Sequence, residues 1–63
     1  MIVKDVMTAL PLSVKRNYRN GRNGEVIDYY NMDKEGKEKV KNSVVRTISP
    51  VNEREIDVFV HWR

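Results

Sequence analysis

Cysteine is absent from this chain, and histidine occurs once. The absence of cysteine excludes disulfides and thiolate metal sites, and a single histidine cannot supply the usual ligand set of a structural zinc ion. We therefore predict no metal and no other cofactor. Because chains without cysteine fit a reducing compartment, a cytoplasmic location is expected.

Long apolar runs are also missing. No stretch approaches the ~18 apolar residues that a membrane helix needs. The stretch from Met1 to Asp5 contains an acid and lacks the apolar region of a signal peptide. No membrane partner is expected.

The chain is short, at 63 residues. This length predicts one domain spanning residues 1–63, whose core alone supplies at most about 3–5 kcal/mol of stability. Because disulfides and metals are excluded, self-association is the remaining way to add stability, and a homodimer is expected. The formal net charge of +3 permits an acidic partner.

The most regular pattern that the sequence does contain lies at its end. Residues 54–62 alternate between two sets of side chains, which is the period of a strand with one buried face. The apolar set is β-branched or aromatic and consists of Ile56, Val58, Val60 and Trp62. The other segments are interpreted as elements that cover this strand or pair with it.

A second regular pattern lies near the start. Apolar residues recur there at i, i+3, i+4 and i+7, as Val3, Val6, Met7 and Leu10. This spacing predicts a helix over residues 2–10, and Pro11 disfavours helical backbone at the residue before it. The alternative is an N-terminal strand, because Ile2 and Val3 are β-branched.

Residues 12–32 are predicted to form a hairpin. Residues 12–19 and 25–32 are interpreted as strands, and they flank two Asn-Gly pairs, the strongest short hairpin signal. Which pair forms the tip stays open. Residues 33–42 are interpreted as a solvated connection with at most a turn or two of helix, because Val40 is the one apolar anchor there.

A second hairpin is predicted to complete the sheet. Residues 43–49 form its first strand, and Pro50 and Asn52 are typical turn residues in the connection at 50–53. The predicted fold class is therefore α+β, with a short N-terminal helix packed on a four-stranded antiparallel sheet built from two hairpins. The strand order stays open.

Several short patterns along the chain carry a resemblance: Val3 to Met7, then Leu10-Pro11, Val14, Gly24 to Val26, Ile48 to Pro50 and Ile56 to Val60. Together they resemble a loose group of short proteins encoded by phages and prophages of Gram-positive bacteria. The resemblance covers most of the chain. It implies a non-enzymatic accessory protein that blocks a host or defence protein in the host cell cytoplasm, as anti-CRISPR proteins do.

The densest positive charge lies in residues 15–22, where four cations and a tyrosine occur without an acid. Arginine matches carboxylate and phosphate groups, and tyrosine can stack on a base. We therefore predict that this segment binds a partner, through Lys15, Arg16, Tyr18, Arg19 and Arg22. The alternative is a solvated hairpin that keeps an edge strand from pairing wrongly.

Three aromatic or imidazole side chains predict a second contact surface. Phe59 and His61 fall on the polar side of the closing strand, and Tyr29 is placed on the same sheet face. Clustered together, Tyr29, Phe59 and His61 would form an interface. The alternative is that a small sheet leaves single apolar side chains exposed.

No arrangement of residues predicts catalysis. Asp57 and His61 lie four residues apart on one strand, roughly 13 Å along it, which is too far for a hydrogen bond. Residues 31–42 begin like a calcium loop, but Asn42 stands where a bidentate glutamate is required. The chain is therefore predicted not to be an enzyme.

These observations lead to one functional hypothesis and two alternatives. The first is a small phage-encoded binding protein that inhibits or modulates a larger host or defence protein, by direct contact with an acidic surface on it. The second is a nucleic-acid-binding module that uses the same basic hairpin. The third is a nucleotide-binding protein whose site forms between subunits.

Overall fold

The computed structural model describes residues 1–62 of the chain. It contains two helices, three strands and one short 3-10 turn. In chain order these are α1 (Val3–Ala9), β1 (Lys15–Asn20), the 3-10 turn (Tyr29–Asn31), α2 (Lys34–Lys41), β2 (Val45–Asn52) and β3 (Glu55–Val60). The predicted α+β class is confirmed. No helix in residues 1–62 has the length and apolar character to cross a membrane.

The sheet has three strands in the order β1-β3-β2, and it is mixed. β1 runs parallel to β3, whereas β2 pairs with β3 antiparallel. The prediction of four antiparallel strands in two hairpins is therefore wrong. β3 lies at the centre and pairs through its backbone with β1 on one side and with β2 on the other.

The predicted second strand does not form. Segment 25–32 makes one isolated bridge, between Arg19 and Val26, and then enters the 3-10 turn. The tight return itself is confirmed by two backbone hydrogen bonds, from Asn20 N–H to Glu25 O and from Ile27 N–H to Tyr18 O. Gly24 supplies the positive φ of 75° that this return requires.

The N-terminal helix and the closing strand pack on each other as predicted. Val58 and Val60 are fully buried, and Val3 and Val6 of α1 join them in the core. Met7, Leu10, Ile56 and Trp62 pack against the edge of this cluster. α1 and β3 thus supply four of the buried side chains that form the core.

Residues 33–42 contain the helix α2, which packs on the core, whereas the sequence predicts a mostly solvated connection there. α2 begins after Asp33, whose Oδ1 accepts a hydrogen bond from Gly36 N–H at 2.8 Å. This cap satisfies a free donor of the first turn. Val40 on α2 is fully buried in the core, so α2 covers the sheet on the same face as α1.

The bounds of all three strands differ from the predicted ones, and β3 covers Glu55–Val60 within the predicted 54–62. β1 begins at Lys15, because residues 12–14 form a turn in which Leu12 is 96% exposed. β2 continues through Pro50 to Asn52, and the connection to β3 is the turn at residues 53–54. Proline is tolerated here because β2 lies at the edge of the sheet.

Candidate functional site

The five predicted partner-binding residues do not form one surface. Arg16 is 7% exposed, and its Nη2 donates to the carbonyls of Leu10 at 2.8 Å and Pro11 at 3.0 Å. Tyr18 is 2% exposed and belongs to the core. Both residues lie on the face of β1 that the helices cover, so neither can reach a partner.

The other three lie apart from one another. Arg19 is half-buried, donates from Nη1 to Gly24 O at 2.9 Å, and places its Nε 3.5 Å from Asp57 Oδ2. Lys15 begins β1, whereas Arg22 lies in the turn beyond its end, and both are exposed. Of the predicted cluster, only Lys15 and Arg22 keep a free cation at the surface, at opposite ends of β1.

The predicted aromatic interface is not assembled either. The Tyr29 ring packs 5.2 Å from the buried Tyr18 ring, on the face of the sheet that the helices cover. Phe59 lies between the buried Val58 and Val60 on β3, so it faces the opposite side. His61 follows the end of β3 and is exposed. These three residues therefore lie in separate places.

A different group of side chains does converge. Because β1 and β3 are parallel, their carboxyl ends lie side by side at one end of the sheet. A cleft of about 560 Å³ opens there, and we call it the cationic cleft. Its lining residues come from both strand ends, from β2 and from the tail: Asn20, Arg22, Val44, Arg46, Val60, His61 and Trp62. None of these is acidic.

Arg46 is held in the cleft by the backbone of the turn. Its Nη1 donates to Gly21 O, and Gly21 N–H donates in turn to Val60 O at 2.8 Å. A Cβ added at Gly21 would lie 2.9 Å from both Arg46 Cδ and Val60 O. Glycine is therefore required at this position for the arginine and the end of β3 to approach the turn so closely.

Arg22 is positioned by its backbone and leaves its guanidinium free. Its N–H donates to Asn20 Oδ1 at 2.9 Å, which fixes the turn. Among residues 1–62, neither Arg22 nor Arg46 forms an ion pair with a carboxylate. Two guanidinium groups that lack a carboxylate partner line this cleft, and guanidinium groups can hydrogen-bond to the oxygens of an anion.

The tail closes one side of the cleft. His61 N–H donates to Val44 O at 2.9 Å, which ties the tail to the start of β2. The Trp62 ring is half-buried, and Lys39 Nζ of α2 lies 4.4 Å from its centroid. This cation–π contact holds the indole against α2.

A second, smaller cavity lies beside the edge of the sheet, between α1 and β2. It measures about 210 Å³, and apolar side chains provide nearly all of its surface. We call it the apolar groove; it is lined by Met1, Asp5, Val6, Ala9, Leu10, Ile48 and Ile56.

The uncovered face of the sheet carries Phe59 among polar side chains, and several of these polar side chains pair with one another. Asn17 Nδ2 donates to Glu55 Oε2 at 2.6 Å and to Asp57 Oδ1 at 3.1 Å. Asp57 is also the residue beside Arg19. Within residues 1–62, no group of three or more histidine or acidic side chains is arranged to hold a metal.

Sequence patterns pointed to two residues of the cationic cleft, Arg22 and His61, and missed the others. Arg46 interrupts an apolar stretch and Trp62 completes the apolar alternation of the closing strand, so their local patterns indicate a strand and no more. Asn20 resembles an ordinary turn residue. Comparisons of the chain with protein-family models, curated proteins and solved structures found no match.

Proposed function

We propose that the chain is a small non-enzymatic binding protein that inhibits or modulates a larger partner by direct contact. In this proposal the partner is a protein with an acidic surface, and the cationic cleft receives an anionic group of that surface. The resemblance to phage and prophage proteins suggests that the partner is a host or defence protein in the host cell cytoplasm, as it is for anti-CRISPR proteins.

The observation that supports this proposal is the pair of uncompensated guanidinium groups in the cationic cleft. Two other cations of the described chain lie beside an acid: Arg19 lies beside Asp57, and Lys41 lies 3.6 Å from Glu38. Arg22 and Arg46 instead share one cleft, and no acidic side chain of residues 1–62 lines it. A carboxylate of a partner would supply the missing counter-charge, and such contacts select partners by charge complementarity.

Charge reversal tests this proposal. Arg22→Glu, alone and combined with Arg46→Glu, should lower the affinity for a partner captured from host lysate by about 1–3 kcal/mol. Arg54→Glu is the matched control, because Arg54 is exposed at the opposite end of β3. Circular dichroism should show all three variants folded. Equal capture by the folded cleft variants and the Arg54 variant would refute a role for the cleft in partner binding.

Nucleic acid is the second candidate partner, and the position of Trp62 favours it. A half-buried indole beside two arginines matches the combination of stacking surface and cationic groove found in single-strand binders. Nuclease treatment of the lysate before capture separates the candidates. A captured partner lost on nuclease treatment, with a steep fall of affinity with salt, would identify nucleic acid.

We further propose that the protein forms a homodimer. The chain has no disulfide to supplement its small core, and the apolar groove leaves Met1 and Ile48 exposed. A second copy placed on the groove would bury these side chains in a self-complementary contact.

A further inference from the structure

We propose that the cationic cleft binds a nucleotide unit, meaning a phosphate ester joined through a sugar to an aromatic base. This inference shares one element with the proposed function, since both place an anion on Arg22 and Arg46. It goes beyond that function because it names a ligand with a phosphate, a sugar and a base, and this ligand and a carboxylate of a partner protein are alternative occupants of the cleft that the experiments below distinguish.

The number of cations in the cleft favours phosphate over carboxylate. One guanidinium fork is enough to engage both oxygens of a carboxylate. Here two forks, Arg22 and Arg46, line the same cleft, and no acidic side chain of residues 1–62 lines it with them. A phosphate ester carries up to two negative charges and three outer oxygens, so it can serve both arginines at once.

The aromatic side chain favours a base next to that phosphate. Trp62 lines the cleft together with the arginines, and its ring is held by Lys39 at 4.4 Å. Lys39 lies over one face of the indole, so the part of the ring that lines the cleft is the part that can stack on a nucleobase. An inorganic anion would use the arginines alone.

The remaining lining residues suit the sugar and the base edge. Asn20 uses its Oδ1 to accept from Arg22 N–H, which leaves its amide nitrogen as a donor. The volume of about 560 Å³ lies within the range of small-molecule sites, roughly 300–1,000 Å³. The site is also preorganised, because Gly21 O holds Arg46 before any ligand arrives.

Fluorescence of the single tryptophan gives a direct test on the full chain. We expect adenosine monophosphate to quench Trp62 in a saturable manner, with an affinity at least about tenfold higher than that of adenosine or inorganic phosphate. Equal affinity for inorganic phosphate and the nucleotide would overturn the proposal, and so would the absence of binding.

Variants test whether binding occurs in this cleft. Arg22→Gln should weaken calorimetric binding of adenosine monophosphate about tenfold, whereas Arg54→Gln should leave it unchanged. Trp62→Phe keeps a stacking ring and should bind far better than Trp62→Leu. If Arg22→Gln folds and binds like the unaltered protein, or if Trp62→Leu binds like Trp62→Phe, the ligand is not held as proposed.

A short single-stranded oligonucleotide with a 5′-phosphate identifies the source of the nucleotide unit. Binding of the mononucleotide at equal or higher affinity indicates a free nucleotide, and tighter binding of the oligonucleotide indicates a strand. Both results support the proposal. Failure of all nucleotide probes, with protein capture still dependent on Arg22, would overturn this inference and leave the proposed function intact.

Discussion

Tyr18 is the centre of a cluster of three tyrosine rings. Its ring centroid lies 5.2 Å from that of Tyr29 and 6.4 Å from that of Tyr30. Burial raises the pKa of the Tyr18 phenol from its ordinary 10.0 to about 12; the two neighbouring tyrosines add to the rise, and the nearby Arg16 opposes it. The phenol therefore stays neutral in the folded protein well beyond the pH at which it ionises in the unfolded chain.

This difference predicts a loss of stability at alkaline pH. Below pH 10 the phenol is protonated in both states, so its contribution to folding is fully present. Between pH 10 and about 12 the unfolded chain releases the proton first, and the free energy of unfolding falls, on the order of 2 kcal/mol in total. Denaturant titrations at pH 8, 10 and 11.5 measure this fall.

Two phenylalanine substitutions assign the effect to Tyr18. Tyr18→Phe should flatten the decline above pH 10, because the ring stays and the ionisable group is gone. Tyr30→Phe should keep most of it, since Tyr30 is 62% exposed. A decline as steep in Tyr18→Phe as in the unaltered protein would contradict this assignment.

At the scale of elements, Arg16 joins the end of α1 to the start of the sheet. Its guanidinium donates to the carbonyls of Leu10 and Pro11, and Leu10 is the residue that ends α1. A cation at this position satisfies terminal carbonyls and complements the helix dipole. The arginine predicted to contact a partner is therefore a structural link between two elements.

Replacing this link should lower stability. Arg16→Met keeps an apolar stem in the core but leaves the two carbonyls without their charged donor, so we expect the free energy of unfolding to fall by about 1–3 kcal/mol. Urea denaturation measures the change. The neighbouring Lys15→Met is the control, because Lys15 is exposed. Equal stability of the two variants would show that the link contributes nothing.

α2 shows how the structural importance of a short helix can be underestimated when its residues are considered one at a time. Its signals are an Asp33 cap, Glu35 in the first turn, and Lys39 and Lys41 in the last turn, all of which favour a helix. The sequence predicts at most a turn or two of helix here, because Val40 is the one apolar anchor. A Cβ at Gly36 would lie 3.1 Å from the Met32 Cβ, so packing against Met32 accounts for this glycine.

At the scale of the whole molecule, β2 is the exposed edge of the sheet. Pro50 lacks a backbone donor, and register shifts occur between Val45 and Thr47 and between Pro50 and Asn52. These features oppose pairing of β2 with another strand. Self-association is therefore expected through the side chains of the apolar groove.

Sedimentation equilibrium at high micromolar concentration tests that expectation. The unaltered protein should sediment as a dimer. Ile48→Asp, which places a charge in the groove, should shift the protein to the monomer. Val26→Asp changes another exposed apolar residue outside the groove and should remain dimeric. A monomeric unaltered protein would exclude the homodimer.

The sequence by itself determined the elements whose pattern is local. The helical spacing of Val3 and Val6 and the alternation of Val58 and Val60 identified their buried faces correctly. The tight return after β1 could also be predicted from the sequence, because an Asn-Gly pair favours a tight turn through its own two residues. In each case the physical cause lies inside the segment that shows the pattern.

Tertiary structure alone decided the direction of β1, the burial of Arg16 and Tyr18, and the cationic cleft. Alternation shows which side of a strand is buried, but it is the same for a parallel and an antiparallel neighbour. Arg22, Arg46 and Trp62 come from a turn, an edge strand and the tail. They meet because β1 and β3 have their carboxyl ends at the same end of the sheet. This arrangement results from strand pairing, which no local segment of the sequence encodes.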